Sequence, residues 1–203
     1  MTADEVGLTD NQTSYLSGEF TGTLIGADGS KAYAIYDLRK PLFDTLRGAT
    51  VKDLDVKNVD IDSDENAAAI AKVADTAKIS NVAVEGKISG RKSVAGLIVS
   101  ATNTTIENSA FTGKLVANHT DSSAKYAGGI VGNLTGENAR INKSKVDVKI
   151  SSSSRNTDQV AGGIVGRLEN GALVSNSVAT GEIRNGQGYS RVGGIVGSTW
   201  KNG

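Results

Sequence analysis

The sequence predicts an all-β protein, a single-stranded, right-handed parallel β-helix with about five to six coils. A glycine-rich segment recurs along the chain, alternating apolar and polar residues follow each copy, and no long amphipathic helix is found. A repeat of about 30 residues with two or three short strands has the size of one solenoid coil, which buries its inward side chains against the next coil. The handedness follows from the general preference of parallel crossover connections.

The chain begins with a polar stretch, residues 1–18, which we expect to form an N-terminal tail or cap. Residues 19–203 then form the repeat domain, and we expect this domain to be truncated at its C-terminal end because the last repeat stops within its pattern. A chain of 203 residues is long enough for one domain with its own core.

The glycine-rich segment marks the coils, and three copies are nearly identical: residues 126–132, 160–166 and 192–197. Taking more degenerate copies into account, the marker residues are Phe43, Ile70, Ile98, Ile130, Ile164 and Ile195. They are separated by 27, 28, 32, 34 and 31 residues, so the additional residues are placed in corner loops such as 116–125. The glycine pairs are expected to permit tight corners and close approach between coils; they are Gly128, Gly129, Gly162, Gly163, Gly193 and Gly194.

A second pattern, an apolar residue followed by a polar residue, Asn and Ser, occurs after each glycine-rich copy. Asn81, Asn108 and Asn176 share one column of this pattern with Asp53 and Lys143. Asn tolerates left-handed backbone angles, and stacked Asn side chains can hydrogen-bond to one another. We therefore interpret this column as a structural ladder at a coil corner.

Each glycine pair is followed by two apolar residues in succession, which cannot both point inward in a regular strand. Either flanking residues cover both faces of this sheet, or one column forms an exposed apolar stripe that docks another domain. The candidate interaction surface therefore comprises Ile98, Ile130, Ile164 and Ile195, together with His119 and Asp121 in a polar insertion.

The composition excludes several kinds of site. The chain has no Cys and one His, so thiolate metal sites and a His-Glu-x-x-His zinc site are excluded. Its 22 basic and 22 acidic residues argue against nucleic-acid binding, and no apolar stretch is long enough for membrane insertion. The acidic run at 60–65 has Glu65 where a calcium loop needs Gly, and we expect a solvated loop there. No catalytic residue, metal ligand or cofactor is assigned to the chain.

Taken together, the Ala-Gly-Gly-Ile-Val-Gly pattern, the Asn-Ser pattern and the following Gly-x-Ile resemble the GLUG repeat. The lead-in at 20–56, with Phe20-Thr-Gly-Thr-Leu-Ile and Pro41-Leu-Phe-Asp-Thr-Leu, is similar to the segment that opens such repeats in streptococcal IgA1-protease-type zinc metalloproteases. The resemblance implies an extracellular, cell-wall-associated or secreted parent with zinc in a separate catalytic domain. It also implies other domains of that parent, and a host protein such as immunoglobulin, as partners.

On this basis, we expect a noncatalytic β-helical module that acts as a spacer, a catalytic-domain dock or a substrate-capture surface. The alternative is an adhesin module of another surface protein that binds a host protein or glycan. A carbohydrate-active enzyme is a third hypothesis, because β-helix folds also cleave polysaccharides.

Overall fold

The computed structural model describes residues 13–29, 31–118, 125–152, 159–184 and 189–201, and these residues form strands and no helix. The strands are β1 (Leu16–Phe20), β2 (Thr23–Ile25), β3 (Ala27–Asp28), β4 (Lys31–Ala32), β5 (Ala34–Tyr36), β6 (Phe43–Arg47), β7 (Thr50–Ser63), β8 (Ala71–Asp75), β9 (Lys78–Gly90), β10 (Val94–Ala95), β11 (Ile98–Thr102), β12 (Thr105–Glu107), β13 (Ala110–Ala117), β14 (Lys125–Gly128), β15 (Val131–Thr135), β16 (Arg140–Asn142), β17 (Lys145–Ser152), β18 (Gln159–Gly162), β19 (Val165–Glu169), β20 (Leu173–Ser175), β21 (Val178–Arg184), β22 (Tyr189–Gly193) and β23 (Val196–Trp200).

Parallel pairing joins each coil to the next through three sheets. Sheet I has the order β1-β6-β8-β11-β15-β19-β23, and sheet III has the order β10-β14-β18-β22. Sheet II contains β20-β16-β12-β9-β13-β17-β21 together with β2, β5 and β7, and a small antiparallel hairpin joins β3 to β4. The result is a parallel β-solenoid of about five turns, which confirms the predicted fold class.

The expected domain boundary at residue 18 falls inside β1. Leu16 pairs with Phe43 and Phe20 pairs with Leu46, so β1 is a full member of sheet I. Tyr15, just before this strand, is also buried. Residues 1–12 of the expected tail or cap lie outside the described residues.

The register of two coils differs by one residue from the repeat alignment. Ile98 pairs with Ala71 and with Val131, so Leu97, and not Ile98, corresponds to Ile130. Likewise Phe43 pairs with Ala71, which makes Leu42 the counterpart of Ile70. Both coils contain two large apolar residues in succession (Leu42 with Phe43, Leu97 with Ile98), so a shift of one residue leaves the apolar pattern unchanged.

A corner between sheets III and I explains how two successive apolar residues are both buried. β14 ends at Gly128 and β15 starts at Val131, so the chain bends between them. The N–H groups of Ile130 and Val131 both donate to the carbonyl oxygen of Ile164 in the next coil, at 2.9 and 3.1 Å. Both side chains are 0% exposed. The bend removes the alternation of a straight strand, so neither column has to face solvent.

The expectation that the isoleucines form an exposed stripe is therefore wrong for three of the four. Ile98, Ile130 and Ile164 are 0% exposed and belong to the hydrophobic core. Ile195, in the last described coil, is 40% exposed. Ile195 is exposed because it lies in the last described coil, and no other described coil covers it.

Glycine is needed at this corner because other backbone atoms lie where a side chain would start. A Cβ on Gly128 would overlap the carbonyl oxygen of Val131, and one on Gly162 would overlap that of Val165. The second glycine lies against the following coil, so a Cβ on Gly129 would overlap the carbonyl oxygen of Gly163, and one on Gly163 would overlap that of Gly194. A Cβ on Gly193 would likewise overlap the carbonyl oxygen of Val196, whereas a Cβ on Gly194 would meet no atom within 4 Å.

The Asn column forms another corner, within sheet II, where the backbone is left-handed. Its φ values lie between 47° and 54°; the residues are Asp53, Asn81, Asn108, Lys143 and Asn176. Asn81 Nδ2 donates to Asp53 Oδ1 at 2.8 Å, whereas Asn176 Nδ2 donates to Asn142 Oδ1 at 2.9 Å. The column thus turns the chain in every coil, and its side chains link some coils but not all.

A ladder of buried serines follows this corner. Ser144 Oγ accepts the N–H of Ser109 at 3.3 Å and donates to the carbonyl oxygen of Asn142 at 3.2 Å. Ser177 Oγ accepts the N–H of Ser144 at 3.1 Å in the same way. Because a buried N–H without a partner costs about 1–3 kcal/mol, each hydroxyl stabilises the coil before it.

Replacing Ile164 by Asp tests the assignment of this column to the core. A carboxylate at a position that is 0% exposed would be buried without a partner, so we expect Ile164→Asp to lower the free energy of unfolding by at least about 3 kcal/mol. Urea denaturation followed by circular dichroism measures this loss. Val73→Asp is the matched control, because Val73 is 43% exposed and its replacement should change stability by less than about 1 kcal/mol. Equal stability of the two variants would contradict the assignment of Ile164 to the core.

Replacing Gly162 and Gly194 tests whether the corner between sheets III and I requires glycine. We expect Gly162→Ala to lower the free energy of unfolding by about 1–3 kcal/mol, because its Cβ would overlap backbone atoms that must shift. Gly194→Ala is the control and should be neutral within about 0.5 kcal/mol, since it meets no atom within 4 Å. Thermal unfolding of both variants is the measurement. A stable Gly162→Ala protein would mean that the corner does not require glycine.

Candidate interaction surfaces

The polar insertion proposed from the sequence cannot be placed. His119 and Asp121 lie outside the described residues, so their part in an interaction surface stays a prediction. Asn118, the last residue before this gap, donates its backbone N–H to the carbonyl oxygen of Gly90 at 2.8 Å. The described residues thus stop just after β13 in sheet II and resume at β14 in sheet III.

The acidic run at 60–65 does not converge on a common point. Asp60 pairs with Arg39 at 3.0 Å, Asp64 pairs with Arg91 at 3.1 Å, and Glu65 forms an ion pair with Lys92. Within the part of the chain that the structure describes, no group of three or more His, Cys, Asp or Glu side chains could hold a metal ion.

A pair of charged side chains on β21 has shifted pKa values. Arg184 Nε donates to Glu182 Oε1 at 2.8 Å, which lowers the pKa of Glu182 and raises that of Arg184. Both side chains are exposed to solvent, so this surface pair adds little to stability.

Large exposed apolar side chains are concentrated at the two ends of the stack. At the first coils they surround an apolar cleft of about 460 Å³, whose floor includes Leu42, Phe43 and Leu54. The exposed residues near this end are Leu16, Ile25, Tyr33 and Tyr36, and those near the other end are Leu173, Val178, Val192, Ile195 and Trp200. Between the ends, Val73 is the one large apolar side chain of the described residues that is comparably exposed.

A second cleft, which we call the arginine cleft, lies on the outer surface where sheets I and III meet. It has a volume of about 420 Å³ and is lined by Tyr126, Val160, Arg167, Arg191, Ser198, Thr199 and Trp200. The residues come from three successive coils, because Tyr126 pairs with Val160 and Val160 with Arg191. Sequence reasoning missed this cleft, since its residues are far apart in the chain and differ in type from one coil to the next.

Arg167 is fixed at the wall of the arginine cleft. Its guanidinium carbon lies 5.4 Å from the ring centroids of both Tyr126 and Trp200, so the cation is held between two aromatic side chains. Its nitrogens also donate to the Tyr126 hydroxyl and to Glu169 Oε1, the latter at 2.6 Å. Glu169 in turn accepts from Asn133 Nδ2 at 3.1 Å. The charge of Arg167 is therefore neutralised within the protein.

Arg191 differs from Arg167 in its surroundings. It is exposed, stands in the same cleft and makes no ion pair with any other described residue. Its neighbour Ser198 presents a hydroxyl group, which can both donate and accept a hydrogen bond. Thr199 lines the cleft from the next position of the strand, in the column of the core residue Leu134. The arginine cleft thus combines one available cation, one hydroxyl and the face of Trp200, which is 57% exposed.

Comparisons with known proteins agree with the repeat pattern. The family model of the M26 IgA1-specific metallo-endopeptidase N-terminal region matches residues 1–86, and that of the GLUG motif matches residues 158–184. The chain is 74% identical over 203 residues to the zinc metalloprotease ZmpC of Streptococcus pneumoniae, and 43% identical over 201 residues to an immunoglobulin A1 protease of Streptococcus sanguinis. These alignments cover 100% and 98% of this chain but 11% of each relative.

A solved structure of an IgA1 protease matches with a TM-score of 0.78 and 27% sequence identity, over 99% of this chain and 19% of that chain. In the described residues, no helix is long and apolar enough to cross a membrane. The two family models, the relatives and the solenoid fold all agree, so the chain belongs to the GLUG-repeat region of the streptococcal IgA1-protease-type zinc metalloproteases, the M26 family.

Proposed function

We propose that this chain is a noncatalytic module of a larger surface zinc metalloprotease, in which its two ends contact neighbouring parts of the same protein. The observation that carries the proposal is the concentration of exposed apolar side chains at both ends of the stack. Exposed apolar patches of this kind are typical of protein contacts. Because the relatives extend far beyond the segment they share with this chain, other domains of the parent are the proposed occupants.

The chemistry of proteolysis is assigned to the rest of the parent. The 74% identical relative is named a zinc metalloprotease, whereas this chain has one His and no Cys with which to bind zinc. We therefore place the zinc in a separate catalytic domain, and we place the whole protein outside the cell, secreted or attached to the cell wall. In this arrangement, the solenoid sets the distance between the catalytic domain and the other parts of the parent.

A substrate-capture role is the second candidate. Relatives that are 39–43% identical over 201 residues are named immunoglobulin A1 proteases, but the relative at 74% identity is not. Host immunoglobulin is thus one substrate to test among several.

An adhesin function would use the same surfaces. The arginine cleft, which is polar and preformed, favours binding of a host molecule over a purely mechanical role.

Deletion of this segment from the parent protease tests the noncatalytic role. We expect kcat/KM for a short peptide substrate to change by less than about twofold, because no group of this segment acts in the chemical step. Replacement by an unrelated solenoid of equal length is the control for spacing, and should restore the cleavage of a folded protein substrate if distance alone matters. A loss of peptide hydrolysis by more than about tenfold, with the catalytic domain still folded, would falsify the proposal.

Binding of the 203-residue chain to immunoglobulin A1 and to a panel of host proteins separates capture from spacing. Surface plasmon resonance should show saturable binding with a Kd of about 1 μM or tighter if the segment captures a substrate. If the segment is only a spacer or a dock, the chain should bind none of these host proteins, and its circular dichroism should still show folded β-sheet.

A further inference from the structure

We propose that the arginine cleft binds a carboxylated pyranose, a sugar ring that carries a carboxylate group, such as the terminal acidic sugar of a host glycan. The dock proposed above uses Leu173, Val178, Val192 and Ile195 at this end and leaves Trp200 to the cleft, and the spacer role requires no such site, so the inference goes beyond the function proposed above. It depends on four features of the cleft: its size, its free cation, its aromatic face and its rigidity.

The size of the arginine cleft fits a small ligand. Its volume of about 420 Å³ lies within the range of about 300–1,000 Å³ typical of small-molecule sites. One or two sugar rings are of this size, whereas a folded protein surface or a nucleic-acid strand requires a larger interface. The lining is mixed, with apolar Val160 beside the hydroxyl and guanidinium groups, and this suits a ligand with both C–H and hydroxyl surfaces.

The free cation selects an anionic ligand. Arg191 is exposed and makes no ion pair with another described residue, whereas Arg167 already donates to Glu169. A guanidinium group presents two parallel N–H donors that match the two oxygens of a carboxylate. We therefore assign the carboxylate contact to Arg191.

The aromatic face and the hydroxyl of Ser198 select a sugar ring. The ring of Trp200 is 57% exposed, and its flat apolar face can lie against the C–H face of a pyranose. Ser198, two residues earlier on the same face of the strand, can donate and accept hydrogen bonds with the ring hydroxyls. A simple carboxylate without a ring would make the contact with Arg191 and none of the others.

The cleft is preformed because Arg167 holds its wall together. Its guanidinium lies 5.4 Å from both aromatic centroids, and it bonds to Tyr126 in one coil and to Glu169 in its own. These contacts fix the Trp200 ring before a ligand arrives. Binding then costs little side-chain entropy, which is the condition for a measurable affinity from a small contact area.

Nuclear magnetic resonance titration of the ¹⁵N-labelled, 203-residue chain with 3′-sialyllactose tests the proposal. We expect saturable shifts of the Trp200 indole N–H and of the Arg191 backbone amide, with a Kd of about 1 mM. Lactose, the same sugar without the carboxylated ring, should bind at least about tenfold more weakly, a difference of about 1.4 kcal/mol. Sodium acetate at equal concentration tests the carboxylate alone and should not displace the sugar.

Variants identify the residues. Arg191→Gln and Trp200→Ala should each raise the Kd by at least about tenfold, with the remaining amide spectrum unchanged as evidence of folding. Arg191→Lys keeps the charge without the paired donors and should bind with intermediate affinity. The control is Arg140→Gln, since Arg140 is equally exposed on sheet II and should leave the Kd unchanged.

Three outcomes would overturn the inference. The first is the absence of saturable shifts up to about 20 mM ligand, which means that the cleft has no useful affinity for this sugar. The second is equal binding of lactose, which would remove the carboxylate from recognition. The third is unchanged binding by Arg191→Gln, which would place the sugar elsewhere on the chain.

Discussion

Backbone hydrogen bonding between successive coils is the constraint on which the rest of the structure depends. Every strand of sheets I, II and III pairs in parallel with the equivalent strand of the next coil, so a corner that turns in one coil must turn in the same way in all of them. This is why left-handed residues recur in columns and why Ile164 accepts two N–H groups from one neighbouring corner.

The sequence was sufficient to predict the coils and the corner at the Asn positions, because each of these repeats at a fixed place, but it left open which apolar column faces inward. It was insufficient for the register around Ile98, where two successive large apolar residues, Leu97 and Ile98, satisfy the pattern in either alignment. The sequence left open whether Ile130 and Val131 are both buried, since a bend in the backbone has no signature beyond the glycine pair. The serine hydroxyls were visible in the pattern, but their role depends on which coil each one faces.

Candidate sites on a solenoid lie where the repeat is broken. Ser198 occupies the column of Asn133 and Arg167, and Trp200 that of Thr135 and Glu169, so these outward columns contain a different residue in each of the last three coils. Their backbone pairing is the same in every coil, while their side chains are free to vary. The arginine cleft arises from this variation, and no single repeat contains it. The repeated residues therefore identify the strands and corners of the solenoid, whereas the residues that differ between coils identify its candidate binding surfaces.

The parallel stacking also determines how the solenoid would respond to a pulling force between its two ends. Such a force acts along the hydrogen bonds between coils, so the coils separate one at a time, beginning at an end. Each coil adds about 4.8 Å to the length of the stack. Once peeled off, its 27–34 residues extend to roughly 90–120 Å. A solenoid anchored at one end and held by a bound target at the other would thus lengthen in steps, and each step would lower the force on the attachment.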